Sequence, residues 1–343
     1  GVPGNQLVED KLCLFKYNIN STYCLILPKL SSDEDVMHHK SDILTEMTNF
    51  TLYYTLLMII PSVVSSLFLG AWTDKYQPAK KALVIIGAFC GICEAVINVI
   101  NVCLYDISPY YTILSGIPNI FSGGLLGQIT AFWSYIALTT PRKYLALRMT
   151  FAELMMSLAS PVGTYVGGAV LNTSPLSADQ GQLHNYIGVY IICGVANLLA
   201  LVWTIFKVDE KRDMEEFERR FGTHSSEDMS VTEEILKKQK QYEDNRHIHP
   251  IKLLFDCTNV KDMLKTCCKP RANHVRLQIW LLFLSMAIYI MAYMAPAVFM
   301  FQFCQKIYNW DSEIYSNVSA GASFISCATT LIIAPILIKL KWT

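Results

Sequence analysis

Five long apolar stretches follow one another between residues 52 and 206, separated only by short polar turns, and two more lie between 277 and 338. About 20 apolar residues in a helix cross roughly 30 Å of hydrocarbon, because every backbone polar group must be satisfied inside the segment. The runs lie near 52–72, 82–104, 111–138, 149–171, 185–206, 277–303 and 314–338, and they predict an all-α membrane protein with seven transmembrane helices. Pro61, Pro118, Pro161, Pro296 and Pro335 fall inside these runs, where neighbouring helices in a bundle can accommodate them. Composition agrees: 52% of residues are hydrophobic and 16% charged. A formal net charge of zero leaves no basic excess of the kind that nucleic-acid capture requires, so nucleic acid is not an expected partner.

Basic residues concentrate in short cytoplasmic loops of membrane proteins. Lys75, Lys80 and Lys81 follow the first run, and Arg142, Lys143 and Arg148 follow the third. Segment 207–276 carries fifteen Lys and Arg, whereas 105–110 and 172–184 carry none. This division predicts an extracellular loop at 1–51, a half-bundle at 52–206, a charged cytoplasmic linker at 207–276 and the start of a second half-bundle at 277–343. Within the linker, Glu215 with Arg219 and Glu216 with Arg220 stand four apart, the order that supports a solvated helix. The glycosylation sequons at Asn20 and Asn172 fall on the face assigned outside. The chain begins without methionine and ends directly after an apolar run, which suggests an internal piece of a longer protein.

Several residues inside the runs are chemically conspicuous. Glu153 lies within 149–171, where a charged side chain at a helix centre costs about 2.5–3.5 kcal/mol on insertion scales, so it is a functional candidate. Glu94, Asn98 and Asn101 make one polar helical stripe, facing either a transport path or a neighbouring helix; Gln128 on the next run poses the same alternative. Tyr289 and Tyr293, four apart, are placed to stack an aromatic ligand or to pack. Pro161, Gly163, Gly167 and Gly168 form a small-residue face suited to close helix approach. No nucleophile–base pair, phosphate loop or metal set is recognisable, so neither an enzyme nor a cofactor is expected.

The turn Gly70-Ala-Trp-Thr-Asp74-Lys75, continuing to Lys80 and Lys81, has the layout of the major facilitator signature, with Gly70 read as allowing close helix approach and Asp74 as a helix cap. Together with Thr51-Leu-Tyr53, and with Leu147-Arg148-Met149 followed by Glu153, it resembles the solute carrier family of the proton-coupled folate transporter, including its thymic and lysosomal relatives. That resemblance implies a major facilitator-type bundle of twelve helices in two halves, of which this chain supplies helices two to eight. It implies Glu153 as the proton-coupling residue, H+ as coupling ion, no other cofactor, and a plasma-membrane or endolysosomal location. Tyr289 stands where the folate transporter has histidine, so folate itself is not implied.

Cys13, Cys24 and Cys304 fall outside, where oxidation is permitted. A local Cys13–Cys24 bridge is one expectation; a bridge to Cys304 is the alternative, closer to what the resemblance implies. The expected function is secondary active transport, a proton-coupled symport of a small organic anion or heteroaromatic solute by alternating access, with the lipid bilayer and that solute as partners. A transport-inactive membrane receptor or scaffold is the alternative.

Overall fold

The computed structural model describes residues 2–29, 34–76, 79–140, 142–176, 181–209, 247–255 and 275–339, with isolated positions between 212 and 265. Helix α1 (Val2–Lys11) runs into a turn of π-helix at Leu12–Lys16. Asn20 caps α2 (Ser21–Ile26), its side chain accepting from the Thr22 N–H at 3.2 Å. Next come α3 (Glu34–Lys75) and α4 (Ala79–Cys103), then a 3-10 segment at Pro109–Gly116, α5 (Ile117–Phe121) and α6 (Gly124–Leu138). Completing the chain are α7 (Arg142–Leu171), α8 (Tyr186–Lys207), the short α9 (Pro250–Leu254), α10 (Val275–Tyr308) and α11 (Ser312–Lys339).

Five helices are long and apolar enough to cross a membrane among the described residues, within α3, α4, α7, α8 and α11. Helix α10 is also 34 residues long, but its side chains at 293–297 lie outside the described residues. α4 packs along α8, α3 along α6, and α7 along α11. The α7–α11 contact has a clear cause: a Cβ on Gly168 would stand 2.6 Å from the Ser316 Cβ, so only a glycine admits the partner helix there.

Two expectations need correction. The run 111–138 is not one helix. Gly123 and Gly124 have φ of 71° and 60°, a left-handed pair that breaks it into the 3-10 segment, α5 and α6. Likewise, 1–51 is not simply a polar loop. Its first residues are helical and buried, and α3 begins at Glu34 rather than near 52. Burial of Glu9, Asp10 and Lys11 is tolerated because each has a hydrogen-bonding partner inside the bundle.

Of three buried apolar clusters among the described residues, two lie at the end of the bundle that carries the disulfide, which is the end expected outside from the charge pattern and hereafter the outer end. One joins Val8, Leu12, Met47, Phe50 and Phe301; the other joins Leu7, Val102, Tyr105, Leu171 and Tyr186. At the opposite, inner end a smaller cluster gathers Leu69, Trp72, Leu83 and Ala131.

Candidate functional site

A cavity of about 540 Å³ lies among α1, α3, α4, the 3-10 segment, α7 and α8. That volume is in the range of small-molecule sites. Helix α4 supplies Glu94 and Asn98, which are four apart and therefore on one face. Tyr54 comes from α3, Tyr190 from α8 and Ser115 from the 3-10 segment. Ser160, Gly163, Thr164 and Gly167 of α7 form the facing wall. The Asn119 side-chain amide donates to Glu94 Oε2 at 2.7 Å and so fixes the carboxylate's orientation, leaving its other oxygen available. Asn98 borders the cavity but is only 5% exposed, and its Oδ1 is buried without a hydrogen-bond partner.

Other expected members fall elsewhere. Gln128 is packed beneath Gly87, where a Cβ would come within 2.6 Å of its Cδ, so it holds α6 to α4 and does not line the cavity. Asn101 belongs to the outer end, where Lys11 Nζ donates to its backbone oxygen at 2.9 Å and to its Oδ1 at 2.7 Å. Tyr289 is 65% exposed on α10 and is not among the residues that line the cavity; the Tyr293 side chain lies outside the described residues. Glu153 is exposed on α7 between the buried Ala152 and Leu154. Seven residues separate it from Ser160, close to two helical turns, so the two share a face about 10 Å apart along the axis. The small-residue face divides its labour: Gly163 and Gly167 border the cavity, while Gly168 meets α11.

At the inner end the cations of the signature turn sit on helix C-termini. Lys80 is buried and donates to the Thr73 carbonyl at 3.1 Å; Lys81 donates to the Ile205 carbonyl, near the end of α8, at 3.0 Å. Arg148 does the same for α6, at 3.0 Å from the Thr139 oxygen. Positive charge there opposes the negative end of each helix dipole. Lys75 also lies in this turn, whereas the Asp74 side chain is outside the described residues. Gly70 is not a point of close approach here, since a Cβ on it would meet nothing within 4 Å.

The outer end holds a buried polar network that the charge pattern did not reveal. Tyr186 donates to Asp10 Oδ2 at 2.5 Å, His184 Nδ1 lies 2.9 Å from the same oxygen, and Gln6 donates to Oδ1 at 3.0 Å. Burial alone would lower the His184 pKa, but the Asp10 hydrogen bond and charge outweigh it and hold the imidazole above its ordinary value. Lys11 is pushed down to about 8 by burial, partly offset by Asp106. Contacts to α10 and the turn after it close this end. Gln305 donates to Glu9, Gln302 donates to Thr51 at 3.3 Å, Lys40 donates to Asn309 at 2.8 Å, and Lys29 pairs with Asp311 at 2.8 Å. Cys13 and Cys24 are joined by a disulfide with Cα atoms 6.0 Å apart, and Cys304 is a buried free thiol. Asn20 and Asn172 are both exposed. Leu7, Val8 and Leu12, which flank Glu9, Asp10 and Lys11 at helical spacing, are the sign in the sequence that these charges sit on a packed helix.

Among the described residues no group of three His, Cys, Asp or Glu is arranged to hold a metal ion. Neither a curated protein nor a solved structure matches the chain at a significant level. A family model described as Major Facilitator Superfamily matches residues 38–342, which takes in all five membrane-length helices and most of the cavity wall. The chain therefore belongs to the major facilitator superfamily, whose members are integral membrane transporters.

Proposed function

We propose that the protein is a proton-coupled symporter of the proton-coupled folate transporter type, moving a heteroaromatic solute by alternating access. The observation that carries this reading is the α7 wall: the face that borders the cavity at Ser160 and Thr164 continues to Glu153. A charged side chain within a membrane span is costly to place, so a carboxyl group kept there is a functional candidate. Glu153 then takes a proton from the acidic side, the two halves rock about the cavity, and proton and solute leave on the other side.

The lining bears on the solute. Phe50, Tyr54 and Tyr190 offer aromatic surface, while Glu94 offers an acceptor for ring N–H or amino groups. Among the described lining residues there is no Lys, Arg or His, so an aromatic ring bearing donors suits this cavity better than an organic anion. Glycan attachment at Asn20 and Asn172, and residence in the plasma or endolysosomal membrane, belong to the same proposal.

Full-length protein in liposomes under an imposed pH gradient tests it. Glu153→Gln is expected to reduce gradient-driven uptake by at least about tenfold while leaving solute binding intact. Normal uptake by a correctly inserted Glu153→Gln variant would overturn the coupling assignment. Absence of uptake by the unmodified protein for every heteroaromatic tried, with a ligand bound at the outer end instead, would favour the receptor alternative.

A further inference from the structure

We propose that Glu9 is a second proton-binding site, separate from Glu153, whose occupation by one proton from the outer solution locks the outer end shut. It rests on the transporter reading only in requiring that α1 and α10 separate when the outer end opens.

The geometry is that of an incomplete pair. Glu9 on α1 and Gln305 on α10 are 3% and 1% exposed and meet across the boundary between the first half-bundle and α10. Gln305 Nε2 donates to Glu9 Oε1, yet Glu9 Oε2 and Gln305 Oε1 both lack a partner. These two orphans are acceptors as long as Glu9 is ionised, and a buried acceptor with no donor is costly. A proton on Oε2 makes Glu9 a carboxylic acid and supplies the donor that this buried, acceptor-rich pair lacks. No covalent bond breaks: closing takes one proton from outer water onto the carboxylate, and opening returns it to the same side. The site therefore senses outer pH and adds nothing to the number of protons carried across.

The surrounding charges favour this. Burial, then the neighbouring Asp10 carboxylate, push Glu9 up to about 8, with the Gln305 hydrogen bond and the Lys40 charge from α3 pulling the other way. Tyr186 of α8 faces the same acidic pair, and His184 reaches it through Asp10. For a carboxyl group whose value is raised in the closed form, the stabilisation of that form is complete in acid and is lost as pH rises through the closed-state value. The closed-to-open ratio thus falls by up to about tenfold per pH unit between roughly 4.5 and 8.

Cys304 provides a native reporter, since it precedes Gln305, is a free thiol, and is 7% exposed while the outer end is closed. Full-length protein in sealed liposomes is treated with a membrane-impermeant maleimide from the outer side. Labelling of the Cys304 peptide is read by mass spectrometry relative to the denatured chain at the same pH, with Cys304→Ser identifying the signal. From about pH 5.5 to about pH 7.5 the relative rate is expected to rise by at least about tenfold. Glu9→Gln, a permanent donor of the same shape, is expected to stay protected at both. Asp10→Asn removes a charge that raises the Glu9 value, so it shifts the protection curve to lower pH and tests the site even should Glu9→Gln misfold. A parent curve that is flat, or a Glu9→Gln curve that tracks the parent, overturns the proposal. A normal curve in Glu153→Gln with lost uptake fits both readings. A normal parent curve without gradient-driven uptake sinks the coupling reading alone; gradient-driven uptake with a flat curve sinks this one alone.

Discussion

The two ends of the bundle are built on opposite principles. At the outer end α1, α3 and α10 share a dense apolar cluster through which buried charges and amides are threaded, and the disulfide holds the exit of α1 beside them. At the inner end Lys80, Lys81 and Arg148 donate to backbone oxygens at the ends of α3, α8 and α6. Helix α10 makes the contrast in a single element. Phe301 and Gln305 are buried at its outer end, whereas Leu277, Leu282 and Met291 towards its start are 58%, 68% and 66% exposed. Among the described residues, the polar contacts that join α10 to α1 and α3 are buried ones at the outer end.

Asp10→Ala strikes the outer end hardest. It leaves Tyr186, His184 and Gln6 without their shared acceptor, and breaking a buried charged network of this kind costs about 3–5 kcal/mol. A large fall in the thermal unfolding midpoint in detergent is expected; an unchanged midpoint would mean that the network is not structural. Gly168→Val is next, because its side chain would collide with Ser316, and overpacking costs about 1–3 kcal/mol. Its midpoint should fall by less than that of Asp10→Ala, and should recover partly in the double variant with Ser316→Gly. Gly70→Ala at the inner end has the smallest effect and the opposite sign. The added Cβ meets open space, and alanine is favoured over glycine in a helix by about 0.5–1 kcal/mol. A destabilised Gly70→Ala protein would show that the inner end is packed as tightly as the outer.

Much of this arrangement was legible in the sequence, and the gaps have physical reasons. Apolar runs located α4, α8 and α11 within a few residues, because hydropathy over a bilayer's width is a strong signal. The polar stripe on α4 pointed to Glu94 and Asn98, which do line the cavity, but periodicity could not say that Asn101 would be claimed by Lys11. Tyr54 and Tyr190 carry no distinguishing signal, since a tyrosine inside an apolar run looks like any other lipid-facing aromatic. The break at Gly123 and Gly124 was visible as a glycine pair but was outweighed by the hydrophobic residues on either side. The burial of Glu9, Asp10 and Lys11 was hidden for a different reason: their partners His184, Asn101 and Gln305 lie far along the chain, and a mixed-charge segment reads as solvated until they are known.

The close seat of the Ser316 side chain on Gly168 also makes a fulcrum. Fifteen residues of α7 separate it from Glu153, a lever arm of about 22 Å. On a helix that runs back to Arg142, a small tilt of α7 about that contact would displace Glu153 far more than the residues that border Ser316.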